Sequence, residues 1–252
     1  MNEDLFKKLK FEMELKNYDP KSMKAYMDSL RRFESYLGDK PFSDLTVPDI
    51  KNYIHHLLTV AKLAPNSVNR HIAAIRFLYR HVFEKYDFLH HLQNVRTPRT
   101  IPTVLSEEEV ATLIDSVHNI KYKAILMLAY SAGLRNSDVR RLKVQDIDSK
   151  RMVINIRQGK GKKDRQALLS ELALRCLRTY WRLFRVRSGV KSDYVFIPTK
   201  NPIEGTYDQA MSHSAVGYVI KKAQEASGIK KKLHLTSFAT RSPSISLNVA
   251  SI

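Results

Sequence analysis

An apolar run that stops at Ser131-Ala132-Gly133-Leu134-Arg135, followed 25 positions after that arginine by a lysine in Gly159-Lys160-Gly161, constrains this chain more than any other feature. The run from Tyr122 to Tyr130, built around Ile125, Leu126 and Leu128, predicts a strongly apolar helix. The small-residue turn behind it places a guanidinium just past the helix end. Beyond Arg141 the period changes. Met152-Val153-Ile154-Asn155-Ile156 and Gln166-Ala167-Leu168-Leu169 are short strand-like runs that flank the Gly-Lys-Gly loop, which predicts a β-hairpin with Lys160 at its tip. Arginine offers a planar fork matched to two phosphate oxygens, and lysine a mobile point charge that can also deliver a proton. Together they suit a phosphoryl-transfer site that works by placed positive charge, with no metal or other cofactor required.

The first ninety residues read as four helices. Asp19 before Pro20 predicts an N-cap and first helical position for a segment with Met23, Met27, Leu30, Phe33 and Leu37 at helical spacing, ending at Gly38. Thr46 with Asp49 predicts a capping box ahead of Ile50, Tyr53, Ile54, Leu57 and Leu58. Asn66 or Ser67 is expected to cap a helix striped by Ile72, Ile75, Leu78, Tyr79 and Val82, with Arg70, Arg76 and Arg80 on its basic side. Periodicity fails between 87 and 104, where Arg96-Thr97-Pro98-Arg99-Thr100-Ile101-Pro102 predicts a linker. The expected organisation is a helical domain over 1–86, a linker over 87–104 and a second domain over 105–252.

That second domain opens on a capping box, Ser106 with Glu109. After the hairpin, Ser170 is expected to cap a helix through Leu172, Leu177, Trp181 and Phe184, with Tyr180, Trp181 and Phe184 assigned to packing. Tyr194-Val195-Phe196-Ile197-Pro198 predicts one more short strand, and Ser212 to Ala226 a helix closed by Gly228. The fold class is mainly α with a small antiparallel sheet.

Lys plus Arg total 43 against 25 Asp plus Glu, a net of +18. Residues 1–90 hold 15 basic and 12 acidic side chains, and residues 91–252 hold 28 and 13, so the second part carries +15 of the excess. The partner implied is a polyanion. No apolar run approaches the ~20 residues of a spanning helix, and no signal-peptide pattern opens the chain, which points to a cytoplasmic protein without a membrane partner. Cys176 is the one cysteine, read as a small buried hydrophobe; disulfides and cysteine-based metal sites are excluded.

On these motifs the chain resembles the tyrosine recombinases of the phage-integrase and Xer type, from residue 1 to about 240. The resemblance implies a helical, SAM-like core-binding domain, a linker, and a catalytic domain of the DNA breaking-rejoining fold. It implies that Arg135 binds the scissile phosphate and that Lys160 is the general acid toward the leaving 5′ oxygen. Lys162, Lys163 and Arg165 on the hairpin, with Arg70 and Arg76, are then candidate DNA-backbone contacts. No cofactor is implied, and protomers of the same or another recombinase are implied partners on double-stranded DNA.

The family next shows a box of the form His-x-x-Arg-His-Ser-Phe-Ala-Thr and then a tyrosine nucleophile. This chain reads His234-Leu235-Thr236-Ser237-Phe238-Ala239-Thr240-Arg241, so the Ser-Phe-Ala-Thr is kept and the box arginine is absent. His234 either takes the place of the box histidine or aligns with a residue just upstream of it. Residues 242–252 carry four serines and no charge, and no tyrosine follows Tyr218. The tail over 241–252 reads as aberrant, as from a truncated or frameshifted gene. Two functions are expected: a site-specific recombinase or integrase that breaks and rejoins DNA, in which this chain lacks its nucleophile, or a non-catalytic remnant that binds DNA or inhibits a full-length partner. A tyrosine donated in trans by another protomer is a third route. Covalent catalysis requires the nucleophile from somewhere.

Overall fold

In the computed structural model, described over residues 3–86, 90–98, 103–157, 164–186, 191–198, 209–231, 233 and 235, the chain divides into two compact units, Met1–Thr100 and Ile101–Ile252. Each has its own apolar core.

Among the described residues the first unit has four α-helices: α1 (Glu3–Leu15), α2 (Pro20–Leu37), α3 (Val47–Thr59) and α4 (Pro65–His81). Asp19 caps α2 by accepting from the amides of Lys21 and Ser22 at 3.0 Å, and Gly38 ends it at φ 65°, a left-handed value that glycine adopts without a Cβ clash. At the start of α3, Asp49 accepts from both the amide and the hydroxyl of Thr46, at 2.7 and 2.6 Å. The start of α4 corrects the expectation of an Asn66 or Ser67 cap. Pro65 is the first helical residue and Ala64 precedes it, because proline's fixed φ and missing N–H suit the first turn without a side-chain cap. Helices α2, α3 and α4 close on Phe33, Tyr53 and Tyr79, all fully buried, with Phe33 stacked on Tyr53 at 4.3 Å. Tyr79 donates to the Phe42 carbonyl at 2.6 Å, and Lys85 reaches the Ser43 carbonyl at 2.8 Å.

Residues 92–97, within the segment expected to be a linker, are strapped along α4. The Asn69 side chain both donates to and accepts from Val95, at 3.0 and 2.7 Å, and Arg76 donates to Asn94 at 3.0 Å and to the Leu92 carbonyl.

Inside this core the Tyr53 hydroxyl meets Nδ1 of His71 at 3.0 Å. Burial first, then the charges of Arg32 and Arg70, lowers the His71 pKa, against a backbone bond at Ser29 that raises it. The unfolded chain therefore binds a proton on this histidine more readily than the folded one. Stability of the first unit is expected to be whole above about pH 6.5 and to fall as pH drops below it. Urea unfolding followed by circular dichroism checks this: a His71→Gln chain should show a smaller acid loss than the parent, and an equal loss would refute the assignment.

The second unit is built round α6 (Ile120–Ser131), whose Ala124 to Ala129 are all buried. A helix apolar on every side belongs in the middle of a fold. Helices α5 (Glu107–Asp115), α8 (Glu171–Tyr180) and α9 (His213–Ser227) pack on it. Ser106 and Glu109 form the expected reciprocal cap of α5, Ser170 accepts from the Ala173 amide at 3.2 Å, and Gly228 closes α9 at φ 70°. After α6 come the short α7 (Asn136–Arg141) and an antiparallel sheet in the order β1 (Ile147–Asp148), β2 (Val153–Ile156), β3 (Arg165–Leu168). Ile147 pairs with Ile154, and Ile156 with Arg165. Ile154 and Ile156 point into the core, and the tight turn into β2 is held by Asp148 accepting from the amides of Lys150 and Arg151.

Two further expectations are corrected. Tyr194 to Pro198 is not a strand. One bridge joins Tyr194 to Lys143, flanked by bonds from Val144 N to Asp193 O and from Val195 N to Leu142 O, both 2.9 Å, and Pro198 has no N–H to extend a ladder. The aromatic trio packs only in part: Phe184 stacks on Tyr180, ring centroids 5.9 Å apart, yet stays half-exposed. Helix α8 widens into a π-turn over Trp181–Val186, which leaves Tyr180 buried, Phe184 47% exposed, and Arg185 turned inward instead. The Arg185 guanidinium lies 4.8 Å from the Trp181 ring and donates to the Ser192 carbonyl at 2.7 Å.

Candidate functional site

Helix α6 ends on Gly133, at φ 57°, and Leu134, fully buried, plugs the turn into the core. Arg135 follows in extended backbone as the N-cap of α7, with its side chain exposed. Among the described residues nothing accepts a hydrogen bond from its guanidinium. Its backbone is held hard: Arg135 N donates to Asp138 Oδ2 at 3.1 Å, and the Arg135 carbonyl accepts from the Asp138 amide at 2.9 Å. An acid three residues past Arg135 is the reciprocal half of a capping box, the sequence signal by which Asp138 could have been found.

Asp138 is buried, its side chain 4% exposed, and carries a second task. Its Oδ2 accepts from Arg165 Nη2 at 2.7 Å, and the same nitrogen donates to the Gly133 carbonyl at 3.2 Å. Arg165 opens β3, so the hairpin's returning arm is fixed to the Arg135 turn. The outgoing arm is fixed likewise: Arg157, just past β2, pairs with Asp146 at 3.0 Å, and Asp146, also buried, accepts from the Lys143 amide at 3.0 Å. Lys160, Lys162 and Lys163 lie between those anchors, outside the described residues, as does His234.

Helix α7 is tied to the start of α9, where Asn136 donates to the His213 carbonyl at 3.3 Å and Arg140 to the Met211 carbonyl. Arg140 thus faces protein backbone. Arg70, in the first unit, is exposed on α4, whereas the Arg76 guanidinium is engaged with residues 92 and 94 as described above. Among the described residues no three His, Cys, Asp or Glu side chains converge as metal ligands would, and no helix is long and apolar enough to cross a membrane.

Residues 103–249 match the Phage integrase family, and residues 5–87 match its N-terminal SAM-like domain. This chain belongs to the phage integrase family. Its integrase-family match runs into the segment read from sequence as an aberrant tail. A protein of Sinorhizobium fredii named as an integrase/recombinase is 34% identical over 224 residues, 87% of this chain and 68% of the relative. Tyrosine recombinase XerA of Pyrococcus horikoshii is 26% identical over 245 residues, 95% of this chain and 80% of that protein. A lambda integrase tetramer crystallised on a Holliday junction has the same fold, with a TM-score of 0.70 at 14% identity over 94% of this chain and 67% of the other. The expected fold class, mainly helical with a small antiparallel sheet and a SAM-like domain ahead of an integrase domain, is the observed one.

Proposed function

We propose that this chain grips duplex DNA as a tyrosine-class integrase does, with Arg135 as a ligand of one backbone phosphate. The observation that carries this is the pairing of an exposed guanidinium with a backbone fixed through Asp138 and Arg165, in a chain of the phage integrase family. Lys160 is its proposed companion, giving a proton to the 5′ oxygen as the bond from that oxygen to phosphorus breaks. Lys162, Lys163 and Arg70 are proposed backbone contacts. The lambda integrase of like fold is a tetramer on its junction, and assembly of several copies on DNA belongs to the same proposal.

The bond that forms as the 5′ oxygen leaves needs a tyrosine oxygen. Residues 219–252 contain no tyrosine, so a chain with these 252 residues alone is proposed to bind without cutting, and cleavage to need a nucleophile from another protomer.

Affinity for duplex DNA should fall steeply with salt, with a log-log slope of about −0.9 per phosphate neutralised. Arg135→Ala should weaken binding about tenfold or more, the worth of a charge-assisted hydrogen-bond pair. Fluorescence anisotropy across a salt series measures both; salt-insensitive binding would refute the DNA reading. Denaturing electrophoresis after incubation with nicked duplex should show no protein-DNA adduct, and an adduct would overturn the non-cutting part.

A further inference from the structure

We propose that Arg165 is a positioning residue that keeps Arg135 available to phosphate by occupying Asp138; this rests on the reading of Arg135 as a phosphate ligand. On sequence alone Arg165 is one more hairpin cation for the DNA backbone. Its geometry gives it other work. The side chain is 33% exposed, and Nη2 is committed inward to Asp138 at 2.7 Å and to the Gly133 carbonyl at 3.2 Å.

The consequence for Arg135 is both steric and electrostatic. The turn that carries it is clamped at the carbonyl of residue 133 by Arg165, at the side chain of 134 by the core, and at the amide of 135 by Asp138. A ligand side chain launched from a backbone held at three successive residues keeps its aim. Asp138 is also a carboxylate three residues from Arg135, close enough in a first helical turn to draw that arginine onto itself. Arg165 satisfies the Asp138 oxygen that Arg135 would otherwise seek, so the negative charge needed to pin the turn does not quench the cation the turn displays. Because Arg165 is also the first residue of β3, opposite Ile156, the same bond fixes the hairpin base to the turn.

The test is a set of DNA affinities on a random-sequence duplex for the full chain, Arg165→Gln, and Asp138→Asn with Arg165→Gln, each with and without Arg135→Ala. Arg165→Gln should bind about tenfold more weakly, by losing one arginine-phosphate contact. In that background Arg135→Ala should cost less than about twofold, against about tenfold in the parent. Removing the charge of both partners should restore the parent's affinity to within about threefold and restore the cost of Arg135→Ala. If Arg165 instead contacts phosphate, the effects of Arg165→Gln and Arg135→Ala multiply, the salt slope falls by about one, and the double neutral variant stays weak; that result overturns the proposal. Should Arg165→Gln alone not fold, the double neutral variant decides: parental binding supports the positioning role, and weak binding with the shallower slope refutes it. If Arg135→Ala leaves the parent's affinity unchanged, the phosphate reading itself falls and takes this one with it.

Discussion

Asp138→Ala is expected to remove about 3 kcal/mol from the stability of the second unit. Breaking a buried ion pair by deleting one partner costs about 3–5 kcal/mol, because the charge left behind has lost its compensation. The lower end applies here, since Arg165 is one-third exposed and water recovers part of its solvation. The Arg135 amide loses its acceptor in the same stroke. For a domain of this size the melting temperature should drop by roughly 6–12 °C. Trp181, the one tryptophan of the chain, lies in this unit, so its fluorescence isolates the transition from that of the first unit. Asp138→Asn keeps an acceptor and should lose about half as much. A melt of Asp138→Ala within a degree or so of the parent would show that the Arg165 pair contributes nothing.

The second large effect belongs to Lys121, which α6 buries to 6% exposure with its ammonium donating to the Ile197 carbonyl. Burial pushes its pKa down to about 8, against about 10.4 in an unfolded chain. Between those values the unfolded chain holds the proton more often than the folded one, so stability rises with pH across the window, by about 3 kcal/mol in all. Cys176 acts oppositely. Its buried thiol is pushed up to about 11, so folding loses stability once the unfolded thiol ionises, above about pH 8.5. Comparing the parent with Lys121→Met at each pH cancels the cysteine. The difference should move in the parent's favour by about 3 kcal/mol between pH 7.5 and 10.5, in urea unfolding read by Trp181. A flat difference would mean that Lys121 stays protonated in the fold.

What could be read from the sequence is what local chemistry decides. The caps at Asp19, Ser106 and Ser170, the stops at Gly38 and Gly228, the apolar helix before Gly133 and the hairpin arms each depend on residues within a few positions of one another, and all are found. The misses depend on distant partners. Strand β1 is two residues long and exists because Ile154 lies opposite Ile147. The π-turn at Trp181 rotates Arg185 into the fold toward Ser192, which no spacing rule announces. In the site, Arg135 stood out through its own neighbours, but the inward turn of Arg165 follows from Asp138, 27 positions earlier in the chain. Arg76, a DNA candidate through the resemblance of its helix face to that of a core-binding domain, also has partners 16 and 18 positions away that its sequence neighbours do not reveal.

Six cations have been described as donors to backbone carbonyls of other segments: Arg76 to Leu92, Lys85 to Ser43, Lys121 to Ile197, Arg140 to Met211, Arg165 to Gly133 and Arg185 to Ser192. They act as stitches, each closing a loop whose carbonyl would otherwise turn to water or stay unmet. Positive charge in this chain thus has two uses, and the net of +18 overstates the stock available to an outside anion. Anyone trimming that charge to reduce unspecific adhesion can start with Arg80, exposed on α4, while truncating any of the six would remove a tie between segments.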